Sequence, residues 1–154
     1  MLFLERRGTL EIRFFPVNSI QSNILQIAVI FTIYNGQMVF VKNNGRNGWE
    51  MPGGHREKGE DINITASREL CEETGASKFF IKPLCDYSVT SCDNTGYGRL
   101  FYAEVFEKEK INDSEVEELK LFTKVPVNLM FSEVQGALLN KVFTLIDTNG
   151  LNYE

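Results

Sequence analysis

Three observations predict an α/β fold, one mixed β-sheet between helices, for this 154-residue chain. Strand-like and helix-like segments alternate in the order β…β-helix-β…β-helix. Leu25 to Tyr34 is rich in Ile, Val, Ala and Phe, the composition of a strand buried on both faces. A helix is marked at both ends by Asp61, able to cap free N–H groups, and by Gly75, which suits a left-handed closing residue.

Taken in order, residues 1–17 read as strand material: Leu2-Phe3-Leu4, a turn at Arg7-Gly8, then alternation from Thr9 to Phe15 until Pro16 stops it. After a polar connection come the Leu25–Tyr34 strand, an Asn35-Gly36 hairpin turn and a return strand over Met38 to Val41, expected at the sheet centre. Asn43 to Gly48 is a loop long enough to border a pocket, and Trp49 to Met51 is a short strand. Pro52-Gly53-Gly54 then breaks the chain sharply, its glycines free to take positive φ. Within the capped helix, Ala66 and Leu70 mark an apolar stripe.

Phe79 to Leu84 and Cys85 to Thr90 read as two strands, and Ser91 to Gly98 as a loop. Arg99 to Phe106 alternates, with Leu100, Tyr102, Glu104 and Phe106 opposite Phe101, Ala103 and Val105. Glu115 to Phe122 is ambiguous between a strand and a short turn. Ser132 to Gln135 has capping-box spacing and opens a last helix. That helix places Val134, Leu138, Val142 and Leu145 or Ile146 inward and ends at Asn149-Gly150.

The length suits a single domain, residues 1–154, able to bury a core without staples. Apolar residues at 43% and charged ones at 24% are ordinary for a globular protein. A net charge of −5 argues against a duplex nucleic-acid binder, whose footprint would be basic. No signal peptide, bilayer-spanning run or lipidation motif is evident, and Cys71, Cys85 and Cys92 lack metal spacing. Reduced thiols in a cytoplasmic protein are the plain reading. Oligomeric state is left open.

The chemistry concentrates in Glu69, Glu72 and Glu73, which stand at i, i+3 and i+4 and leave one helix face together. Like charges at that spacing repel by about 0.2–0.5 kcal/mol per pair. Negative charge at a helix C-terminus opposes the macrodipole by a further ~0.3–1 kcal/mol each. A cation should offset this, and hard oxygen ligands suit Mg²⁺ or Mn²⁺. On its own, such a cluster also fits a solvated acidic face.

The spacing around the triad is more specific. Gly54, Glu60, Arg68, Glu69, Leu70, Glu72, Glu73 and Gly75 fill eight of the nine specified positions of the pattern G-x5-E-x7-R-E-U-x-E-E-x-G-U, where U is a bulky apolar residue. The departure is the smaller Ala76. This stretch resembles the signature of the Nudix hydrolases, and Trp49-Glu50-Met51-Pro52-Gly53-Gly54 is similar to the lead-in of their MutT-like branch. The resemblance implies an α/β/α sandwich, with Glu69, Glu72 and Glu73 and the Gly54 carbonyl as ligands of Mg²⁺ or Mn²⁺ on a bound pyrophosphate. It also implies a Glu60–Arg68 ion pair that positions the turn, a structural support more than a chemical one.

A general base is needed to activate water. Glu69 could serve, as could Glu115, which lies where family members bring a carboxylate from a loop; a solvated charge run is the plainer reading of Glu115. His55 is either a phosphate contact or an exposed imidazole, and Trp49 is core or pocket wall more than a base platform. In oxidised-purine hydrolases of this family, the segment before the last helix reads the base. Here that segment offers Asn128 and Phe131, while Ser132 and Glu133 read as a helix cap.

The resemblance therefore implies a Mg²⁺-dependent pyrophosphohydrolase that cleaves a small nucleoside triphosphate, such as 8-oxo-dGTP, to the monophosphate and pyrophosphate. Its rivals are a Nudix hydrolase for ADP-ribose, a nucleotide sugar, a dinucleoside polyphosphate or an RNA 5′ end, and a nucleotide-binding module without turnover. The intact carboxylate set argues against the last of these.

Overall fold

The computed structural model describes residues 9–147, 152 and 153. The expected strand at Leu2-Phe3-Leu4, the Arg7-Gly8 turn and the Asn149-Gly150 helix end lie outside these residues. The chain forms β1 (Leu10–Phe15), β2 (Ile27–Tyr34), β3 (Gln37–Asn43), β4 (Gly53–His55), α1 (Ile62–Thr74), β5 (Ala76–Ser91), β6 (Asn94–Lys108), β7 (Val116–Phe122), β8 (Lys124–Val125), α2 (Ser132–Leu145) and β9 (Asn152–Tyr153). Seven strands make one sheet in the order β1-β5-β6-β2-β3-β7, with β4 added against β2, and β8 pairs with β9 separately. The main sheet is mixed: β2 runs parallel to β6, and its other pairings are antiparallel.

The expected three layers form because β2 and β6 bury both faces. Leu25, Ala28, Ile30, Phe101, Ala103 and Val105 pack under Ile62, Ala66 and Leu70 of α1. Ile27, Val29, Phe31 and Leu100 face the other way and meet Val134, Leu138, Leu139 and Val142 of α2. The Asn35-Gly36 turn forms as predicted, with φ of 51° and 73° at its two residues. β2 is central, whereas β3 lies one strand from the edge. No helix among the described residues is long and apolar enough to cross a membrane.

Several expectations change. Phe79–Leu84 and Cys85–Thr90 are one continuous strand, β5, whose register shifts between Pro83 and Cys85. Pro83 has no N–H for the ladder, which accounts for a break in pattern without an end of the strand. The predicted loop over Ser91–Gly98 shrinks to Cys92 and Asp93, with Cys92 at φ 54°, because Asn94 already pairs with Ser91. Glu115 to Phe122 resolves as the edge strand β7 from Val116.

The capping box is absent. Phe131, at φ 47°, precedes α2 without a side-chain cap, and Ser132 lies inside the helix. Gln135 turns inward instead: its Oε1 accepts from Met51 N at 2.8 Å, and its Nε2 donates to the carbonyls of Trp49 and Met130 at 2.9 and 2.5 Å. Three buried main-chain groups outweigh one helix-end N–H. α2 stops at Leu145, whose side chain is exposed, while Ile146 packs on the core.

Candidate active site

β4 and α1 build the site. Asp61 caps α1 by accepting from Asn63 N at 2.8 Å, and Gly75 closes it at φ 78°. Neither Gly53 nor Gly54 takes a positive φ. Space is the reason for both: a Cβ at Gly53 would lie 2.3 Å from the backbone carbonyl oxygen of Ala28, and one at Gly54 would lie 2.3 Å from the Glu69 carboxyl carbon and displace that carboxylate. β4 therefore presses directly on β2 below and on Glu69 beside it.

The three glutamates differ sharply in environment. Glu73 is buried and accepts from Gly53 N at 2.7 Å. Burial raises its pKa to about 8, with the Gly53 hydrogen bond opposing and the Glu69 charge adding to the rise. Glu69 is mostly buried; its pKa is raised by desolvation against the pull of Arg68. Glu72 is half-exposed.

Arg68 gathers them. Its Nε and Nη2 donate to Glu60 Oε2 and Oε1 at 2.8 and 3.0 Å, a bidentate pair. Its Nη1 reaches Glu69 Oε1 at 3.0 Å and Glu72 Oε2 at 3.3 Å, and Nη2 also donates to the His55 carbonyl at 3.1 Å. Hydrogen bonds from Arg68, then Thr65, hold Glu60 down to a pKa of about 2. The predicted Glu60–Arg68 pair thus joins the turn, the helix and β4.

An open cleft of about 650 Å³ receives Glu69, Glu73, Gly54, His55, Arg46 and Glu115 in its lining. Glu72 faces a neighbouring cleft of about 600 Å³ that shares Ser114 and Glu115. Glu115 is exposed and its loop is tied across the opening, since Asn44 N donates to its carbonyl at 2.8 Å. His55 is exposed in the cleft, with partial burial holding its imidazole below the usual pKa. Asn128 and Phe131 stand outside the lining. Asn128 Nδ2 donates to the Asn47 carbonyl, and the Phe131 ring packs on the core with the Arg46 guanidinium 5.3 Å above it. Trp49 packs on the core: Phe122 meets it edge-on at 5.1 Å and Lys42 covers it at 4.7 Å.

Sequence reasoning missed Arg46, which lines the cleft, and the buried Glu50 that anchors it. Glu50 is buried at 4% exposure, takes Arg46 Nη1 at 2.9 and 3.1 Å and accepts from Asn43 Nδ2 at 3.0 Å. A carboxylate next to an apolar Trp and Met was the available signal, since a buried charge requires partners.

The donor set suits a hard divalent cation. A carboxylate as buried as Glu73 is uncomfortable as an anion without an adjacent cation, and all candidate donors are oxygens. Among the described residues, no three acidic, His or Cys side chains yet converge on one point. Arg68 Nη1, lodged between Glu69 and Glu72, provides the local positive charge in their place.

The NUDIX domain family matches residues 24–135, and the chain belongs to it. A 48-residue stretch is 44% identical to Nucleoside diphosphate-linked moiety X motif 6 of Xenopus laevis, covering 30% of this chain and 22% of that one. The matched stretch thus spans about a fifth of that relative's length. Among solved structures, the Bacillus subtilis pyrophosphohydrolase BsRppH superposes with a TM-score of 0.72 at 23% identity, over 88% of this chain and 90% of its own. A C. elegans Ap4A hydrolase gives 0.61 at 19% identity, over 77% and 96%. A MutT NUDIX hydrolase from Burkholderia pseudomallei gives 0.60 at 17%, over 75% and 95%. These distant likenesses speak for the fold.

Proposed function

We propose that the protein is a Nudix hydrolase that cleaves a phosphoanhydride of a nucleoside triphosphate, releasing a monophosphate and pyrophosphate with Mg²⁺ or Mn²⁺ bound. The carrying observation is the buried Glu73 beside Glu69 in a polar cleft, a charge arrangement that calls for a cation. Glu69, Glu72, Glu73 and the Gly54 carbonyl would hold the metal. A divalent ion there neutralises phosphate charge and lowers the pKa of bound water.

The chain's own groups supply the rest. Glu69, with a pKa raised by burial, is suited to take a proton from the attacking water. Gly54 lets the β4 backbone approach that carboxylate. Arg68 holds Glu69 and Glu72 at fixed spacing through its anchor on Glu60. Glu115, on the opposite rim, assists as a second base. His55 is placed to meet a phosphate oxygen.

The Trp49-Glu50-Met51-Pro52-Gly53-Gly54 lead-in favours an oxidised purine such as 8-oxo-dGTP as the nucleotide. A panel of nucleoside triphosphates, ADP-ribose and dinucleoside polyphosphates, assayed with Mg²⁺ for pyrophosphate and phosphate release, tests both levels. Pyrophosphate release from triphosphates, fastest for the oxidised guanine, is expected. Cleavage of ADP-ribose alone would overturn the triphosphate assignment, and no turnover of anything would overturn hydrolysis.

A further inference from the structure

We propose that Arg46, seated on the buried Glu50 and backed by Phe131, is a phosphate-binding residue that selects substrates with an extended phosphate chain. The inference rests on the pyrophosphohydrolase reading and names what that site counts.

Three arginines line the cleft: Arg46, Arg56 and Arg68. Arg68 is committed to Glu60, Glu69, Glu72 and the His55 carbonyl. Arg56 directs Nε to the Leu25 carbonyl at 2.8 Å, Nη2 to Asn23 at 3.1 Å and Nη1 to Glu60 at 3.3 Å, so its donors close main chain. Arg46 differs. Its anchor is a carboxylate placed behind it, Glu50 at 5% side-chain exposure against 29% for Arg46. The cation is therefore the member of the pair presented to the cleft.

Its surroundings fix it there. Asn43 holds the second side of the Glu50 carboxylate, and Phe131 lies under the guanidinium plane at 5.3 Å, a cation–π distance. The loop that carries it is tied on both flanks, by Asn44 N to the Glu115 carbonyl and by Asn128 Nδ2 to the Asn47 carbonyl. A guanidinium held in this way loses little freedom on meeting a phosphate, an anion that its charge and planar shape suit. Arg46 comes from the loop after β3 and lines the same cleft as Glu69 and Glu73 of α1, so one chain of phosphates can meet both sets of groups. Phe131 then acts through Arg46 and is a positioning residue, not a base platform.

The test is calorimetric titration of the full chain, in saturating Mg²⁺, with inorganic pyrophosphate and inorganic tripolyphosphate. The parent should bind tripolyphosphate about tenfold to a hundredfold tighter than pyrophosphate, the worth of one charge-assisted contact. Arg46→Met combined with Glu50→Gln, which leaves no buried charge unpaired, should erase that ratio while pyrophosphate affinity stays within about threefold of the parent. Arg46→Lys should retain part of it, and Phe131→Leu should reduce it without changing base preference in the nucleotide panel. A ratio unchanged in the double variant overturns the inference, as does an equal loss for both ligands, which would mean that Arg46 only shapes the loop. If the calorimetric pattern holds while no nucleotide is turned over, Arg46 stands and the hydrolase reading falls.

Discussion

At the residue scale, Glu73 makes the sharpest pH prediction. Its pKa is about 8 in the folded chain against an ordinary 4.5, so folding favours the protonated form. That contribution is complete below about pH 4.5 and is lost as pH rises through 8. Metal-free protein should therefore lose up to about 1.4 kcal/mol of stability per pH unit across that window. Urea melts in EDTA at several pH values should show the slope, and Glu73→Gln should flatten it. Mg²⁺ should stabilise the parent more at pH 8 than at pH 6, because the ligand must shed its proton first. That Glu69, Glu72 and Glu73 share one helix face was legible in their spacing, but how differently the fold buries them was not. Sequence reasoning assigned the discomfort of Glu73 to its like-charged neighbours and the helix dipole, whereas burial is the larger cause. Glu60 titrates in the opposite sense: held down to about 2, it supports the fold above pH 4.5 and ceases to as acid protonates it. Glu60→Gln should remove that acid-side transition in thermal melts.

At the element scale, α2 shows where a local signature fails. Ser132-Glu133-Val134-Gln135 has the right spacing for a capping box, yet the cap is Phe131 in a left-handed conformation. What decides is tertiary: Gln135 meets Met51 N and the carbonyls of Trp49 and Met130, groups 84, 86 and 5 residues away. Gln135→Leu should orphan Met51 N and the Met130 carbonyl at about 1–3 kcal/mol apiece, while the Trp49 carbonyl keeps Met130 N at 3.0 Å. Chemical denaturation measures it, and a change below 1 kcal/mol would show that water takes over the contacts. β5 and β6 were misread as shorter pieces for a related reason. A long antiparallel hairpin tolerates Pro83 and a two-residue turn at Cys92-Asp93 when the runs Phe79 to Pro83 and Cys85 to Ser91 are paired throughout.

At the scale of the whole molecule, the unbroken apolar run of β2 was enough to predict two covered faces, and the alternation in β6 sorts its side chains between them, because side-chain direction in a strand has period two. Ion pairs that span the sheet left no such trace. Asp86 and Arg99 face each other across β5 and β6, both almost fully buried, with Arg99 Nε donating to Asp86 Oδ1 at 2.6 Å. Asn18 and Asn63 complete the arginine's partners at 3.1 and 3.3 Å, tying β6 to the start of α1. Asp86→Ala should cost about 3–5 kcal/mol by stranding a buried cation, and simultaneous replacement of both by apolar residues should cost much less. A double-mutant cycle in urea reads the difference. Arg46 and Glu50 escaped sequence reading likewise, since a loop arginine gains meaning only from the buried carboxylate it finds.

The absence of a Cβ at residue 54 reaches beyond the active site, to the order in which this chain can change. A methyl group at Gly54 would stand 2.3 Å from the Glu69 carboxyl carbon, the mobile end of its side chain, so alanine at 54 is admitted only with that carboxylate displaced. The order of substitution follows from that displacement: with Glu69 shortened first, alanine at 54 meets no carboxyl group, whereas alanine first must push the carboxylate off β4. The residue with no side chain thus decides which of two changes is felt at the other.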